Sequence, residues 1–444
     1  MQLNIQPVNQ SGMQRTHGRP DHVFVGRQVF RFLAPLARWL SQHRRRRGKL
    51  RSVWGGTPIL TLPLLARCDR ILGIDSRSLV FKTYRTTRAF DVSLEKYHSF
   101  ISRRAPKLRL VFEAIVFAYA ILRYDVFHYF ADRGILSSQD DFGIRVFEQE
   151  VLQAAGKTLY VYTYGADVRL RNKTLQLGTW NFCRDCDDPG AYCLCDDEKG
   201  EALLKRIADF ATATVSLGDM LTYLPGARHV AYWPIDHERI AYVGAREHAG
   251  PLKIAHAPNH THFKGTRYLE QSLARLDARG VHFELVVISG VSNAEVLDLL
   301  AEADIVADQF IGGAYGYTAL EGMARGKPVL TYVRDRSLTV APDECPFINA
   351  TPDTLDDVLT WCAHNRALLP HIGRQGRSYV ERHHSIPAVA ARLARLYIDT
   401  ADFPRPLIER FEGYIADEEA RMSTIATYAD WSHPWSAAEG SRAC

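Results

Sequence analysis

Three glycines and a glutamate lie between two apolar runs of the sequence. Gly312, Gly313 and Gly316 follow the apolar residues 305 to 307, and Glu321 comes shortly before the second run. Glycines let backbone N–H groups come close to a ligand, and a helix starting behind them offers a phosphate about half a positive elementary charge. The pattern predicts a strand, a ligand-binding turn and a helix. The alternative is a plain β-α-β crossover that holds no ligand.

The run that begins at Glu321, Glu-Gly-Met-Ala-Arg-Gly-Lys-Pro-Val, resembles the nucleotide-sugar site of family 4 retaining glycosyltransferases. The resemblance implies an α/β fold of the GT-B architecture, in which two Rossmann-like, doubly wound parallel-sheet domains face a cleft. It gives Glu321 the role of accepting hydrogen bonds from the donor ribose. Gly313 stands where the family has another glutamate, which touches the donor sugar. The same turn implies donor contacts from Gly313, Tyr315, Gly316, Tyr317 and Thr318.

Lys264 is the candidate for binding the donor phosphates. A nucleotide sugar has an anionic diphosphate as leaving group, so the enzyme must supply positive charge and N–H donors where that charge grows. Lys264 and Gly265 begin a predicted helix and match the family's Lys-Gly pair. The family's arginine, about five residues earlier, is missing, and Asn259 lies in that neighbourhood as a further donor-binding candidate. The alternative for a lone lysine at a helix start is a solvated side chain.

Two patterns in the first half of the chain resemble the cleft-facing turns of the family. Gly55 and Gly56 follow the first predicted strand, where backbone amides of the family approach the donor diphosphate or the acceptor. The segment that ends in Asp167, Val168 and Arg169 resembles a His-Gly-Ser-Asp-Val-Arg run. Asp167 and Arg169 either bind acceptor hydroxyls or pair with each other across a loop.

His128 belongs to a run that resembles the family's Asp-Val-x-His-x-His. It is either a cleft residue or a buried, satisfied histidine at a strand end. The catalytic candidates are His128, Asp167, Lys264 and Glu321. The resemblance implies front-face attack with retention, in which the departing phosphate acts as the base, and it implies no catalytic metal.

Four cysteines cluster in a Cys-x2-Cys-x6-Cys-x-Cys arrangement, at Cys183, Cys186, Cys193 and Cys195. Four thiolates in a turn-rich loop can complete a tetrahedral zinc site, and a reducing compartment disfavours disulfides. The cluster therefore predicts a structural zinc ion that orders the loop beside Asp167. The alternatives are an iron-sulfur or redox role and free or disulfide-paired cysteines.

The composition is that of a soluble globular protein, with 46% hydrophobic and 24% charged residues in a chain of 444. No apolar run reaches the ~20 residues that a membrane-spanning helix needs, and no signal peptide is predicted. Residues 22 to 68 contain ten Lys or Arg and no Asp or Glu, although the net charge of the whole chain is only +5. Residues 27 to 51 could therefore contact an anionic membrane surface. The alternatives are a solvated arm and a helix docked on its own domain. Nucleic-acid binding is not expected.

The chain divides into five predicted segments. Residues 1 to 22 are a disordered tail and residues 23 to 48 a basic amphipathic segment. Residues 49 to 235 form an N-terminal Rossmann-like acceptor domain with a cysteine-rich insert at 183 to 195, and residues 236 to 400 form a C-terminal Rossmann-like nucleotide-sugar domain. Residues 401 to 444 are a tail that packs back on the first domain.

The sequence predicts a retaining glycosyltransferase that moves a sugar from a nucleoside-diphosphate sugar to a glycan or lipid-linked acceptor. Polysaccharide or glycolipid biosynthesis is the expected setting, in the cytoplasm or on the inner face of the plasma membrane. A nucleotide-sugar epimerase uses the same kind of cleft and is one alternative. The other is a non-catalytic sugar-nucleotide or glycan binder that partners an active transferase.

Overall fold

The computed structural model describes residues 24–84, 87–136, 142–184, 186–244 and 248–427. The tail predicted to be disordered, residues 1 to 22, lies outside these ranges. So does the last part of the predicted C-terminal tail, from residue 428 onward. Within the described residues no helix is both long enough and apolar enough to cross a bilayer.

The first sheet is built from parallel strands. These are β1 (Arg51–Gly56), β2 (Asp75–Val80), β3 (Val92–Ser93), β4 (Val126–Phe130), β5 (Thr158–Tyr162), β6 (Ala213–Ser216) and β7 (Arg228–His229). Their order across the sheet is β3-β2-β1-β4-β5-β6-β7. Strands β4 and β5 are buried at every position, as expected for parallel strands that are covered on both faces.

Helices cover this sheet. They are α1 (Phe24–Arg46), α2 (Leu62–Ile71), α3 (Glu95–Arg104), α4 (Pro106–Arg123), α5 (Val146–Ala154), α6 (Arg171–Leu175) and α7 (Asp197–Phe210). Helix α1 contacts α4 and α5, whereas α2 contacts β1 and β2. The short helix α6 leads into the cysteine-rich insert, and α7 follows it.

The second sheet is smaller and also parallel. Its strands are β8 (Leu252–His256), β9 (Phe283–Val287), β10 (Ile305–Ala307), β11 (Val329–Thr331) and β12 (Ile348–Asn349), in the order β12-β11-β10-β8-β9. Its helices are α8 (Thr261–Lys264), α9 (Thr266–Asp277), α10 (Asn293–Ala301), α11 (Tyr317–Ala324), α12 (Leu355–His364) and α13 (Leu369–Tyr379). The predicted α/β class with two parallel sheets is confirmed.

The last two helices, α14 (Ile386–Thr400) and α15 (Arg405–Ser423), return to the first sheet. The sequence assigned residues 387 to 399 to the closing helix of the second domain. In the structure Leu393, Tyr397 and Phe411 belong to the hydrophobic core of the first sheet, and α14 contacts α2. The chain crosses between the halves twice, near Ile235 and near His384. These two crossings lie side by side, since the Ile235 N–H donates to the His384 carbonyl at 2.6 Å.

The basic segment forms a long helix, α1, that is docked on the first half. Its Phe30 is buried, with ring centroids 5.3 Å from Phe117 of α4 and 5.6 Å from Phe147 of α5. Near its end, Arg44 pairs at 2.7 Å with Asp125, whose side chain is fully buried. Of the two alternatives to membrane contact, the structure shows the helix docked on its own domain and not the solvated arm. Its outward face is described below.

Strand β2 begins earlier than the apolar pattern suggests. The sequence predicts a strand at residues 79 to 83, whereas β2 starts at Asp75. Its first part contains Ser76 and Ser78, which are fully buried and hydrogen-bonded to Asp69 (3.3 Å) and Asp91 (2.8 Å). Serines paired in this way can occupy a core strand, but in a sequence they are typical of a loop.

Candidate functional site

Lys264 and Asp308 form an ion pair at the carboxyl ends of two neighbouring strands, β8 and β10. Lys264 ends α8, and Gly265 (φ +69°) turns the chain into α9. The Lys264 Nζ lies 2.5 Å from the Asp308 Oδ1, and the Asp308 side chain is fully buried. The sequence analysis missed Asp308. A carboxylate directly after a buried parallel strand is the signal that could have found it.

The same carboxylate receives two more hydrogen bonds. The backbone N–H of Gly316, the residue that caps the start of α11, donates to the Asp308 Oδ2 at 2.5 Å. The Thr331 hydroxyl donates to the same oxygen at 3.3 Å. An ammonium group, a helix-start amide and a hydroxyl are the donors that commonly bind phosphate. The turn therefore forms an anion site, which the protein's own Asp308 carboxylate occupies.

Glu321 lies within reach of this charge cluster. It is in α11, almost completely buried, and its Oε1 accepts a hydrogen bond from the Asn293 side-chain amide at 2.6 Å. Burial raises the pKa of Glu321 to about 7, and the positive charge of Lys264 opposes that rise. The structure thus brings together Lys264, Gly316 and Glu321, which the sequence singled out separately. Asn293 was not predicted.

Gly313 lies against the side chain of Arg334, which was not predicted from the sequence. Its φ is +81°, and a Cβ built there would lie 2.2 Å from the Arg334 Nη1. The Arg334 Nη1 donates to the Asp219 Oδ2 at 2.6 Å and its Nη2 donates to the Trp180 carbonyl at 2.9 Å. A side chain at position 313 would displace Arg334, which connects the second half of the molecule to the first.

Two other predicted donor-binding residues of the second half, Tyr315 and Tyr317, use their hydroxyls in contacts away from Asp308. Tyr315 is buried, and its hydroxyl is hydrogen-bonded to a histidine ring. The Tyr317 hydroxyl donates to the Pro234 carbonyl at 2.7 Å, beside the chain crossing. Thr318 is half-buried, and Asn259 is exposed in the loop after β8.

The predicted glycine turn of the first half, Gly55 and Gly56, lies at the end of β1. Gly56 has a φ of +85°, and a Cβ there would lie 2.9 Å from the carbonyl oxygens of Arg133 and Gly134. Gly55 has only ordinary contacts, the nearest with the Tyr129 ring at 3.5 Å. The close approach at Gly56 is thus made by the loop after β4.

His128 lies inside the core of the first half. It is fully buried in β4, stacked on Trp54 with ring centroids 3.9 Å apart and on Tyr160 at 5.3 Å. Its Nε2 is 3.5 Å from the Asp69 Oδ2. This is the alternative of a buried, satisfied histidine, and the structure does not bring His128 to Lys264.

Asp167 and Arg169 are both buried but do not pair with each other. The Asp167 Oδ1 accepts two backbone N–H groups of its own loop, and burial raises the pKa of Asp167 to about 7. The Arg169 guanidinium lies over the rings of Phe182 and Phe263, at 4.2 and 4.9 Å from their centroids. Within the described residues the Asp167 Oδ2 and the Arg169 Nε and Nη1 have no hydrogen-bond partner.

The four clustered cysteines line one pocket and have free thiols. They are Cys183, Cys186, Cys193 and Cys195. Among the described residues no group of three or more His, Cys, Asp or Glu side chains is arranged to hold a metal ion. The predicted zinc site therefore has no support from the structure, and the alternative of free cysteines matches the geometry.

The segment that leads into the cysteine-rich insert reaches the second half beside the glycine-rich turn. A Cβ at Gly312 would lie 2.5 Å from the Phe182 ring, and the Phe182 carbonyl accepts a hydrogen bond from the His262 Nε2 at 3.1 Å. The Trp180 indole N–H donates to the Asp353 Oδ2 at 2.7 Å. This segment thus contacts both the turn and helix α8, which ends in Lys264, and these tertiary contacts have no signal in the sequence.

Comparisons with known proteins identify the architecture. No family model and no curated protein matches the chain. Among solved structures, HepE from Anabaena, in complex with UDP-glucose, is 10% identical and aligns over 79% of this chain and 100% of its own, with a TM-score of 0.50. The fold is GT-B.

Other solved structures align at lower scores. Sucrose-phosphate synthase from Thermosynechococcus elongatus is 12% identical over 79% of this chain and 99% of its own (TM-score 0.49). WaaG, a glycosyltransferase involved in lipopolysaccharide biosynthesis, is 12% identical over 80% and 100% (TM-score 0.42). At 10% identity, the likeness to HepE shows the fold alone. The narrower resemblance to family 4 stays a prediction.

Proposed function

We propose that the chain is a retaining glycosyltransferase that uses a nucleoside-diphosphate sugar as donor and a glycan or lipid-linked molecule as acceptor. The observation that carries the proposal is the anion site, where the Lys264 ammonium and the Gly316 N–H converge on one carboxylate. Residues 236 to 400 would bind the donor and residues 49 to 235 the acceptor. The GT-B likeness to HepE, which was solved with UDP-glucose, supports the same reading.

The anion site fits the charge that this reaction creates. When the bond between the sugar and the diphosphate breaks, negative charge grows on the phosphate oxygen that leaves. Lys264 and the start of α11 are placed to stabilise that charge, because both already stabilise the Asp308 carboxylate. In the retaining reaction that the sequence resemblance implies, the acceptor oxygen bonds to the sugar carbon and its proton passes to the departing phosphate.

Glu321 would hold the donor ribose. A carboxylate accepts hydrogen bonds from two neighbouring hydroxyls, and α11 and Asn293 keep its side chain in one place. The raised pKa of Glu321, about 7, belongs to the protein without ligand. Two ribose hydroxyls that donate to the carboxylate would favour its ionised form and lower that pKa.

The test is a thermal-shift screen of the full chain against nucleotide sugars that differ in base and sugar, followed by assays of sugar transfer. We expect at least one donor to stabilise the protein, and Lys264→Ala to abolish that shift. Lys205→Ala, which removes an exposed lysine on α7, is the control. Slow release of nucleoside diphosphate without acceptor indicates an enzyme, and sugar transfer to an acceptor identifies it as a transferase. Tight donor binding without turnover on any acceptor indicates a non-catalytic binder and contradicts the proposal.

We also propose that the outward face of α1 and α4 contacts an anionic membrane surface. On α1, Phe32 is 79% and Trp39 59% exposed, and on the adjacent α4, Ile115 is 62% and Tyr119 56% exposed. Helix α1 contains no acidic residue, and the one acid of α4, Glu113, is buried. Apolar side chains among basic residues suit the interface of an anionic bilayer.

Vesicle sedimentation tests this second proposal. We expect the full chain to bind vesicles that contain about one-third phosphatidylglycerol and to bind neutral phosphatidylcholine vesicles far more weakly, since ~1 kcal/mol per basic residue comes from the surface charge. The double variant Phe32→Ser/Trp39→Ser should lose most of this binding. Leu368→Ser, which changes an exposed apolar residue elsewhere, is the matched control. Self-association through the same face, seen by light scattering, would contradict the proposal.

A further inference from the structure

Arg169 is a buried cation with two guanidinium nitrogens, Nε and Nη1, that donate no hydrogen bond among the described residues. Only 9% of its surface is exposed, and its Nε and Nη1 have no partner among the described residues. The rings of Phe182 and Phe263 hold the guanidinium by cation-π contacts. These contacts fix the position of the group, but they do not satisfy its N–H donors. A buried guanidinium with free donors is costly unless something accepts from it.

The pocket that Arg169 lines is rich in positive charge. Arg171 and Arg184 line the same pocket, together with Phe182, Phe263, Pro189 and the four cysteines described above. None of these described lining residues is acidic. Three arginines among the described lining residues make the pocket suitable for an anion.

One nearby carboxylate, that of Asp219, is already paired with another arginine. The positive charge of Arg169 opposes the rise in the pKa of Asp219 that burial causes. The Asp219 carboxylate is nevertheless hydrogen-bonded to Arg334, at 2.6 Å. Among the described residues, the Arg169 Nε and Nη1 thus have no acceptor.

We propose that this pocket, lined by Arg169, Arg171 and Arg184, binds a phosphate group. A guanidinium presents a planar fork of donors that matches the oxygens of phosphate, and the two rings hold this fork in place. The phosphate comes from the donor diphosphate or from a phosphorylated acceptor. The inference goes beyond the proposed function, because it stands on the pocket and does not require a nucleotide-sugar donor.

The experiment measures binding of inorganic phosphate and pyrophosphate to the full chain by calorimetry and by thermal shift. Arg169→Met keeps the length of the side chain and removes its charge. We expect it to weaken binding of pyrophosphate at least tenfold and to leave the melting temperature without ligand unchanged or higher, since the variant no longer buries an unsatisfied charge. Arg405→Met, on the exposed surface of α15, is the control and should bind as the wild type does.

Two further arms identify the source of the phosphate. If the donor supplies it, Arg169→Met weakens UDP by the same factor as pyrophosphate. If a phosphorylated acceptor supplies it, UDP affinity is unchanged while inorganic phosphate loses its site, and the wild type binds both at once. Arg171→Met, an exposed residue of the pocket, serves as a second variant should Arg169→Met fold poorly, and we expect a smaller loss of the same sign.

Equal binding of phosphate and pyrophosphate to the wild type and to both pocket variants would overturn the inference. Finding one tightly held metal ion per chain on the four cysteines would also overturn the inference. The negative charge of such a tetrathiolate centre would balance the positive charge of Arg169. Neither result would contradict the proposed binding of a nucleotide-sugar donor, which depends on Lys264.

Discussion

The guanidinium of Arg334, in the second half of the molecule, lies 2.6 Å from the carboxylate of Asp219, in the first half. The Asp219 side chain is 14% exposed, burial raises its pKa, and the charge of Arg334 opposes that rise. The positive charge of Arg334 therefore offsets the cost of burying the Asp219 carboxylate. The pair also joins the half that contains the second sheet to the half that contains the first.

Arg334→Gln should destabilise the protein by about 2 kcal/mol, because it leaves the Asp219 carboxylate buried without its partner. Denaturant unfolding at pH 7 measures the loss. Asp219→Asn and the double variant complete a cycle, and we expect the double variant to lose less than the sum of the single ones. Strictly additive losses would show that the two residues do not interact. Arg405→Gln, on an exposed helix, is the control.

Lys264 and Asp308 should have opposite effects on binding of a nucleoside diphosphate. Lys264→Ala removes a cation from the anion site, and we expect UDP affinity to fall by about 2 kcal/mol, roughly thirtyfold. Asp308→Asn removes the carboxylate that competes for the same donors, so affinity should rise several-fold. Calorimetry on the two variants checks both signs. A fall in affinity with Asp308→Asn as large as with Lys264→Ala would show that Asp308 positions the lysine rather than competing with phosphate.

The elements of the second half could be predicted from the sequence because each has a local signal. Apolar runs such as Leu252–His256 are bounded by glycine and proline, and the glycine-rich turn sits between two of them. Asp308 was within reach of the same reasoning, since it ends a buried strand. Lys264 and Glu321 were singled out by their resemblance to the motifs of the family and not by these local patterns.

The contacts between the halves could not be predicted, because they join residues that are distant in the chain. Arg334 and Asp219 are each unremarkable polar residues in the sequence, and only the folded chain makes them a pair. Phe182 against Gly312 is a contact of the same kind. His128 shows a different limit. The apolar run of β4 does not reveal which of its side chains faces the cleft and which faces the core.

Glu321 should make stability depend on pH. Its pKa is raised from 4.5 to about 7 by burial, so between these values the folded state holds a proton that the unfolded state has lost. Stability contributed by this group is therefore present at pH 4.5 and is lost as the pH rises to about 7, by up to about 3 kcal/mol. Glu321→Gln should flatten the stability profile over this range. Asp167, whose pKa is raised to a similar value, contributes in the same direction and remains in the variant.

The same residue links pH to donor binding. Because ribose hydroxyls are expected to favour the ionised carboxylate, affinity for a nucleotide sugar should rise between pH 6 and 8, and the rise should be absent in Glu321→Gln. A nucleotide sugar is the suitable probe, since its diphosphate does not titrate in this range, whereas a free nucleoside diphosphate does. An identical pH profile in the variant would show that Glu321 does not bind the donor.

Gly56 closes the turn after β1 and should not tolerate a side chain. Its φ of +85° is unfavourable for any other residue, and a Cβ would lie 2.9 Å from two carbonyl oxygens of the loop after β4. We expect Gly56→Ala to cost about 2 kcal/mol or more of unfolding free energy, because neither backbone oxygen can move away freely.

Gly413→Ala is the matched control for this substitution. Gly413 lies in the exposed middle of α15, and a Cβ there would meet nothing within 4 Å. Alanine should stabilise that helix by roughly 0.5 to 1 kcal/mol, so the two variants should shift the denaturation midpoint in opposite directions. If Gly56→Ala also proved stabilising, the loop at Arg133 and Gly134 would have to move aside. The close approach of the β1 turn to that loop would then not be a fixed feature of the first half.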